Sequence, residues 1–215
     1  MPPGQATERV RIINAAYRCL AAAEGAPVSI TDILNEAGLS TRAFYRHFES
    51  KDALLLSMFR RDSTRVMTEL RSFVASAAGP PEALGLLIGG MLRITSDERR
   101  RSRVLALSSG DATRARGYAE ERARALADQE SLIAEILKAG LADGSFPWAD
   151  PEPDARSIRA ALGQAFEDQM AGTARDSAAT VAEQITGFAL RALGASRPAH
   201  CPSHTAAPRR SGSRP

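Results

Sequence analysis

Cysteine, histidine and aromatic side chains are scarce in this sequence. Its 215 residues hold two cysteines, three histidines, one tryptophan, three tyrosines and seven phenylalanines. Two cysteines as far apart as Cys19 and Cys201 make no disulfide framework, so a reducing cytosol is the expected compartment. Long apolar runs are missing too. The N-terminus MPPGQATERV has no apolar stretch behind a basic start, so no secretory signal is expected. The most apolar run, Ala83 to Leu92, is too short and glycine-rich to span a bilayer, and Arg93 ends it. The expectation is a soluble cytoplasmic protein without a membrane partner.

Catalytic signatures are also lacking. There is no GxSxG, no HExxH and no GxxxxGK[ST]. The adjacent pairs Glu120-Glu121 and Glu167-Asp168 point to different sides of a helix. His200, Cys201 and His204 form a metal-like cluster, but no fourth ligand is near and a solvated tail is the plainer reading. Cys19 reads as a small buried residue. No enzyme activity, cofactor or metal is expected.

Alternating β-branched runs are absent, so the chain reads as all-α. A first helix is expected from about Thr7 to Glu24, closed by Gly25 and Pro27. Ser29, with Asp32 three residues on, is a capping box for a short second helix that Gly38 closes. Ser40 caps a third, Thr41 to about Phe48, and Ser50 caps a long fourth, Lys51 to about Ser76. Gly79-Pro80-Pro81 breaks the chain. Helices over about 82–94, 97–109, 113–141, 154–171 and 177–194 are expected beyond it. After Gly194 the composition turns to Pro, Ser, Ala and Arg, and disorder is expected.

Net charge is likewise in short supply. The chain carries +3, but Arg197, Arg209, Arg210 and Arg214 lie in an acid-free tail, so residues 1–196 are close to neutral. Any nucleic-acid contact must come from a local patch. One patch stands out: GLSTRAFYRHFESKDALL, residues 38–55, interleaves Arg42, Arg46, His47 and Lys51 with Phe44, Tyr45 and Phe48. At about 100° per residue, Thr41, Arg42, Tyr45 and Arg46 share one side of the third helix. Ala43, Phe44, His47 and Phe48 share the other. Two helices joined by a tight glycine turn, the second with a basic and aromatic outer face, make a helix-turn-helix. An arginine fork matches guanine or phosphate bidentately, and hydroxyl groups such as those of Ser40, Thr41 and Tyr45 bind phosphate oxygens. Arg99, Arg100, Arg101 and Arg103 read instead as a solvated face or a domain linkage.

ITDILNEAGLSTRAFYRHFESKDALL (30–55) resembles the signature of the TetR family of bacterial transcription regulators, in a match running from about Ile12 to Leu55. The Gly38 turn, the Tyr45-x-His47-Phe48 run and the Ser50-Lys51-x-x-Leu54 start of the fourth helix carry it. The resemblance implies a three-helix DNA-binding domain joined by the fourth helix to a dimeric ligand-binding domain. It makes Thr41, Arg42, Tyr45, His47 and Lys51 DNA contacts, with Arg42 the base reader, and brings Ser29 or Thr31 near a phosphate. On His47 the two readings differ: the helical wheel turns it inward, the resemblance turns it to DNA.

The expected organisation is a helix-turn-helix domain over 1–50, a ligand-binding and dimerisation domain over 51–196, and a basic tail over 197–215. Phe73, Leu87, Met91, Ile94, Leu126, Ile133, Trp148 and Phe166 are the candidate pocket lining. The homodimer interface is expected on Ala161, Gly163, Ala165, Val181, Ile185, Phe188 and Ala192. The expected function is a regulator, a repressor released from palindromic double-stranded DNA by a small hydrophobic effector. A ligand-independent DNA-binding protein and a small-molecule-binding helical enzyme are the alternatives.

Overall fold

The computed structural model describes residues 3–23 and 26–195. Gly25 and the whole expected tail, with Cys201, His200, His204 and the tail arginines, lie outside the described residues.

The described chain is all-α. Its helices are α1 (Pro3–Ala22), α2 (Ile30–Ala37), α3 (Thr41–Tyr45), α4 (Lys51–Ala75), α5 (Pro80–Ser96), α6 (Glu98–Leu107), α7 (Gly110–Thr113), α8 (Tyr118–Asp143), α9 (Pro151–Ala171) and α10 (Ala178–Ala192). The caps explain the boundaries of the N-terminal part. The Ser29 hydroxyl accepts the Asp32 N–H while the Asp32 carboxylate accepts the Ser29 N–H, so both orphan donors are satisfied. Gly38 closes α2 at φ 60°, where a side chain would be strained. Ser40 and Ser50 cap α3 and α4 through the N–H groups of Ala43 and Ala53.

Five features of the helices differ from the sequence reading. Helices α1, α5 and α9 begin at Pro3, Pro80 and Pro151, four, two and three residues before the expected starts. Proline is tolerated in a first turn, where its missing N–H has no partner to lose, so here it starts helices and does not merely break the chain. The third helix is shorter than expected, ending at Tyr45. The expected helix over 113–141 is split: α7 stops at Thr113, and Gly117 at φ 91° turns the chain into α8.

Two hydrophobic clusters organise the molecule. One joins α1, α2 and α3 through Ile12, Ile13, Ile33, Leu34, Phe44 and Phe48. It also takes in Leu54, Leu55 and Met58 of α4 and Ala106, Leu107 and Ala115 beyond it, so the early turns of α4 and the end of α6 are built into the N-terminal unit. The other fills the space between α4, α5, α8, α9 and α10, with Leu84, Leu87, Ile88, Leu92, Ile133, Leu137 and Phe146 at its centre. Helix α5 packs on both α4 and α10, and α8 packs on α9. No helix among the described residues is long and apolar enough to cross a membrane.

Candidate nucleic-acid interface and interhelical cavity

The outer face of α3 is built by what its inner face buries. Ala43, Phe44 and Phe48 are in the core, and the Arg9 guanidinium covers the Phe48 ring at 5.2 Å. With that side closed, Ser40, Thr41, Arg42, Tyr45 and Arg46 are exposed together, Tyr45 to 57 %. Arg42 has no ion-pair partner among the described residues, so its fork is available to a base edge or a phosphate. The Arg11 guanidinium locks the preceding turn by donating to the Ala37 carbonyl at 2.6 Å and the Gly38 carbonyl at 3.3 Å.

Glu8 of α1 decides the fate of two other candidates. Its carboxylate accepts from Arg46 at 3.0 Å on both oxygens and lies 3.1 Å from His47 Nε2. The His47 side chain is 5 % exposed. His47 therefore packs inward, as the helical wheel has it, and the phosphate contact implied by resemblance is corrected for the free protein. Arg46 remains half-exposed but is already partnered.

Ser29 is committed to its capping box, and its hydroxyl donates to Asp32 at 2.6 Å. That bond, with the Ser29 N–H, holds the Asp32 carboxyl below its ordinary range. Thr31 is the exposed hydroxyl of α2. Lys51 is half-buried, with Nζ 2.9 Å from Asp111 Oδ2 on α7. The same Asp111 oxygen accepts the Val28 N–H at 2.7 Å. Sequence reasoning missed Glu8 and Asp111 because each acts on partners 38 or more residues away.

The N-terminal unit is also tied to α6. Tyr17 of α1 donates its hydroxyl to Asp62 of α4 at 2.9 Å, and Arg103 of α6 lies 5.1 Å above the Tyr17 ring. Burial first, then the neighbouring Asp62 carboxylate, pushes the Tyr17 phenol far up, so it stays a hydrogen-bond donor. Arg101 donates to the Gln169 and Met170 carbonyls near the end of α9. The arginine-rich start of α6 thus clamps helices together.

A cavity of about 500 Å³ lies between α4, α5, α6, α8 and α9. Met91, Ile94, Leu126 and Phe166 line it, as do Phe59, Met67, Val104, Leu162 and Met170, which the sequence reading did not name. Four expected residues lie elsewhere. Leu87 and Ile133 are plain core, and Phe73 packs against Gly90 and under Arg93. Trp148 is 72 % exposed and covers Gly194 at the end of α10. An apolar residue type does not reveal whether its neighbours close around it or leave a void.

Of the expected interface residues, Ala161, Phe188 and Ala192 are exposed, Phe188 to 61 %. Ala165, Val181 and Ile185 are half-buried against the larger core. Gly163 is half-buried and lines the cavity, where its small size opens space.

Cys19 is half-buried in α1, and burial pushes its thiol up, which makes it a poor thiolate.

Residues 12–58 match the family of bacterial regulatory proteins, tetR family. An uncharacterized HTH-type transcriptional regulator of Mycobacterium tuberculosis is 31 % identical over 87 residues, which cover 40 % of this chain and 43 % of the relative. The match thus spans less than half of that relative's length. Among solved structures, SmeT in its triclosan complex superposes with a TM-score of 0.74 at 22 % identity, covering 86 % of this chain and 91 % of that one. FadR of Bacillus subtilis in complex with stearoyl-CoA gives 0.70 at 16 % identity, covering 85 % and 98 %. Those two likenesses establish the fold, while the sequence match falls on the helices whose geometry is described above. Over residues 12–58 the chain is thus similar to the tetR family of bacterial regulatory proteins.

Proposed function

We propose that this protein is a ligand-responsive transcriptional regulator, a repressor that binds palindromic double-stranded DNA as a homodimer in the cytoplasm. One observation carries the reading: Thr41, Arg42 and Tyr45 stand exposed on the second helix of a helix-turn-helix whose other face is closed core. Arg42 reads a base edge, and Ser40, Thr41, Tyr45 and Thr31 contact phosphates. Lys51 reaches the flanking backbone by leaving Asp111. The domain division follows the same reading: residues up to 50 bind DNA, and 51–196 bind ligand and partner.

A two-fold dimer formed by α9 and α10, with Phe188, Ala161 and Ala192 on its outer face, presents two recognition helices to successive half-sites roughly 34–36 Å apart. The cavity is the effector site. Its volume of about 500 Å³ falls in the range of roughly 300–1,000 Å³ for small-molecule pockets. The largely apolar lining favours a hydrophobic effector, and the ligands held by the solved likenesses, triclosan and stearoyl-CoA, are in keeping with that.

Release follows from the connection of α6. Arg103, Val104, Leu105 and Leu107 line the cavity, and the chain just beyond them places Asp111 against Val28 and Lys51. An effector that favours another position of α6 also shifts the helix-turn-helix, by as much as its affinity for the two states differs. Selection from random duplexes with the full chain tests the reading. Enrichment of a palindrome with half-sites one helical turn apart is expected, and a pool with no enriched sequence would overturn it.

A further inference from the structure

We infer that the cavity takes an amphipathic organic anion, its apolar body among Met67, Met91, Ile94, Leu162 and Phe166 and its anionic head at Arg65. The inference rests on the reading of this cavity as the effector site.

The charges on the cavity wall are nearly, but not fully, matched. Helix α4 contributes Asp62, Arg65 and Glu69, spaced by three and four residues and so on one face. Helix α6 contributes Arg100 and Arg103. Arg100 holds Glu69 through both carboxylate oxygens at 2.8 and 3.0 Å and is 4.0 Å from Asp97. Arg103 lies 3.7 Å from Asp62, which also accepts the Tyr17 hydroxyl. On the opposite wall Arg122 lies 3.4 Å from Glu167. Every carboxylate of the lining therefore has an arginine. Arg65, standing between the two α4–α6 pairs, has no ion-pair partner among the described residues.

That surplus discriminates between ligands by charge. A neutral apolar ligand fills the cavity but makes no hydrogen bond or ion pair with the Arg65 guanidinium, so it gains nothing from that charge. A cationic one adds a like charge beside three arginines and finds no free carboxylate. Arg65 is itself exposed, so it stands at the cavity's mouth, where a single negative charge completes the pairing through a charge-assisted hydrogen bond. A free carboxylate and the phosphates of an acyl thioester share this chemistry.

Calorimetric titration of the full chain, without DNA and at physiological ionic strength, tests this with octanoate, octan-1-ol and octyltrimethylammonium. Octanoate is expected to bind at least about tenfold more tightly than the alcohol, with the quaternary ammonium weakest. Arg65→Ala should bring octanoate to within about threefold of the alcohol, and Arg65→Lys should keep most of the preference. An unchanged melting temperature for Arg65→Ala shows that the variant is folded. Octanoyl-coenzyme A added to the series separates the two sources: tighter binding than octanoate marks an acyl thioester, weaker binding a free acid, and either supports the inference. Equal affinities, a preference for the ammonium, no binding by any probe, or an intact preference in Arg65→Ala would overturn it. A chain that selects an operator without preferring the anion refutes this inference alone. One that prefers the anion but selects no operator refutes the regulator reading alone.

Discussion

Asp111 Oδ2 lies 2.9 Å from Lys51 Nζ, joining the short α7 to the first residue of α4. The same oxygen takes the Val28 N–H just ahead of α2. Burial by itself would raise the Asp111 carboxyl, but the Val28 N–H and the Lys51 ammonium outweigh it and hold the group below its ordinary 3.8. Asp111→Ala leaves a backbone donor and an ammonium without their acceptor, and should cost about 1–2 kcal/mol. A carboxyl whose folded value is depressed stabilises the fold above its unfolded value and loses that contribution as pH falls through the folded one. The difference in stability between wild type and variant should therefore be constant from pH 5 to 7, to take ~pH 5 as safely above the unfolded value, and shrink on acidification below 3.8. Urea titrations across pH measure it, and a gap that widens in acid would refute the assignment.

Arg42 and His47 should separate cleanly in solution. Arg42 is exposed without an ion-pair partner, so Arg42→Ala should leave the melting temperature unchanged. It should weaken operator binding by about 1–3 kcal/mol and relax the preference at one base pair. The buried His47 ring is hydrogen-bonded to half-buried Glu8, which keeps Arg46 when the ring is removed, so His47→Ala should lower stability by about 0.5–1.5 kcal/mol through that lost bond. Its salt dependence of DNA binding should match wild type, because no phosphate contact is removed. A shallower salt slope for His47→Ala would restore it to the phosphate-binding set.

The proposed dimer hangs on Phe188. An aromatic ring this exposed on a helix flanked by small residues fits a partner surface better than water. Phe188→Asp should give a monomer at micromolar concentration in sedimentation, with helicity by circular dichroism unchanged. Palindrome binding should fall by about a hundredfold or more as the two half-sites lose their shared anchoring. A variant that still sediments as a dimer would place the interface elsewhere.

Two glycines should respond oppositely to the same substitution. A Cβ on Gly140 would come 2.1 Å from the ring of Phe146, a fully buried side chain. Gly140→Ala should cost about 1–3 kcal/mol by overpacking. A Cβ on Gly89, in mid-α5, meets nothing within 4 Å. Gly89→Ala should raise stability by roughly 0.5–1 kcal/mol, since alanine loses less backbone freedom in a helix. Thermal melts of the two variants check both signs.

Helix positions and the face of α3 were legible in the sequence to within a few residues. The Ser29–Asp32 box, the Gly38 turn and the Ser40 and Ser50 caps involve groups three or so residues apart, and local spacing suffices to place them. The same holds for the split of α3 into Ala43, Phe44 and Phe48 inside and Thr41, Arg42 and Tyr45 outside. The misreadings have a common origin. Proline was read as a breaker where a first turn accepts it, and Trp148 was read as pocket lining because large apolar residues are usually covered.

By itself the sequence determined the all-α class, the caps and the outward face of the second helix of the helix-turn-helix. Those features rest on backbone hydrogen bonding and on periodicity within one or two turns. Only the tertiary structure decided that Glu8 is the partner His47 meets across 39 residues and that Asp111 reaches Val28 across 83. It alone hollowed the space between α4, α5, α6, α8 and α9 and left Arg65 on its wall without a carboxylate. Such pairings depend on how whole helices pack, and packing is set by the summed fit of distant surfaces, which no local pattern encodes.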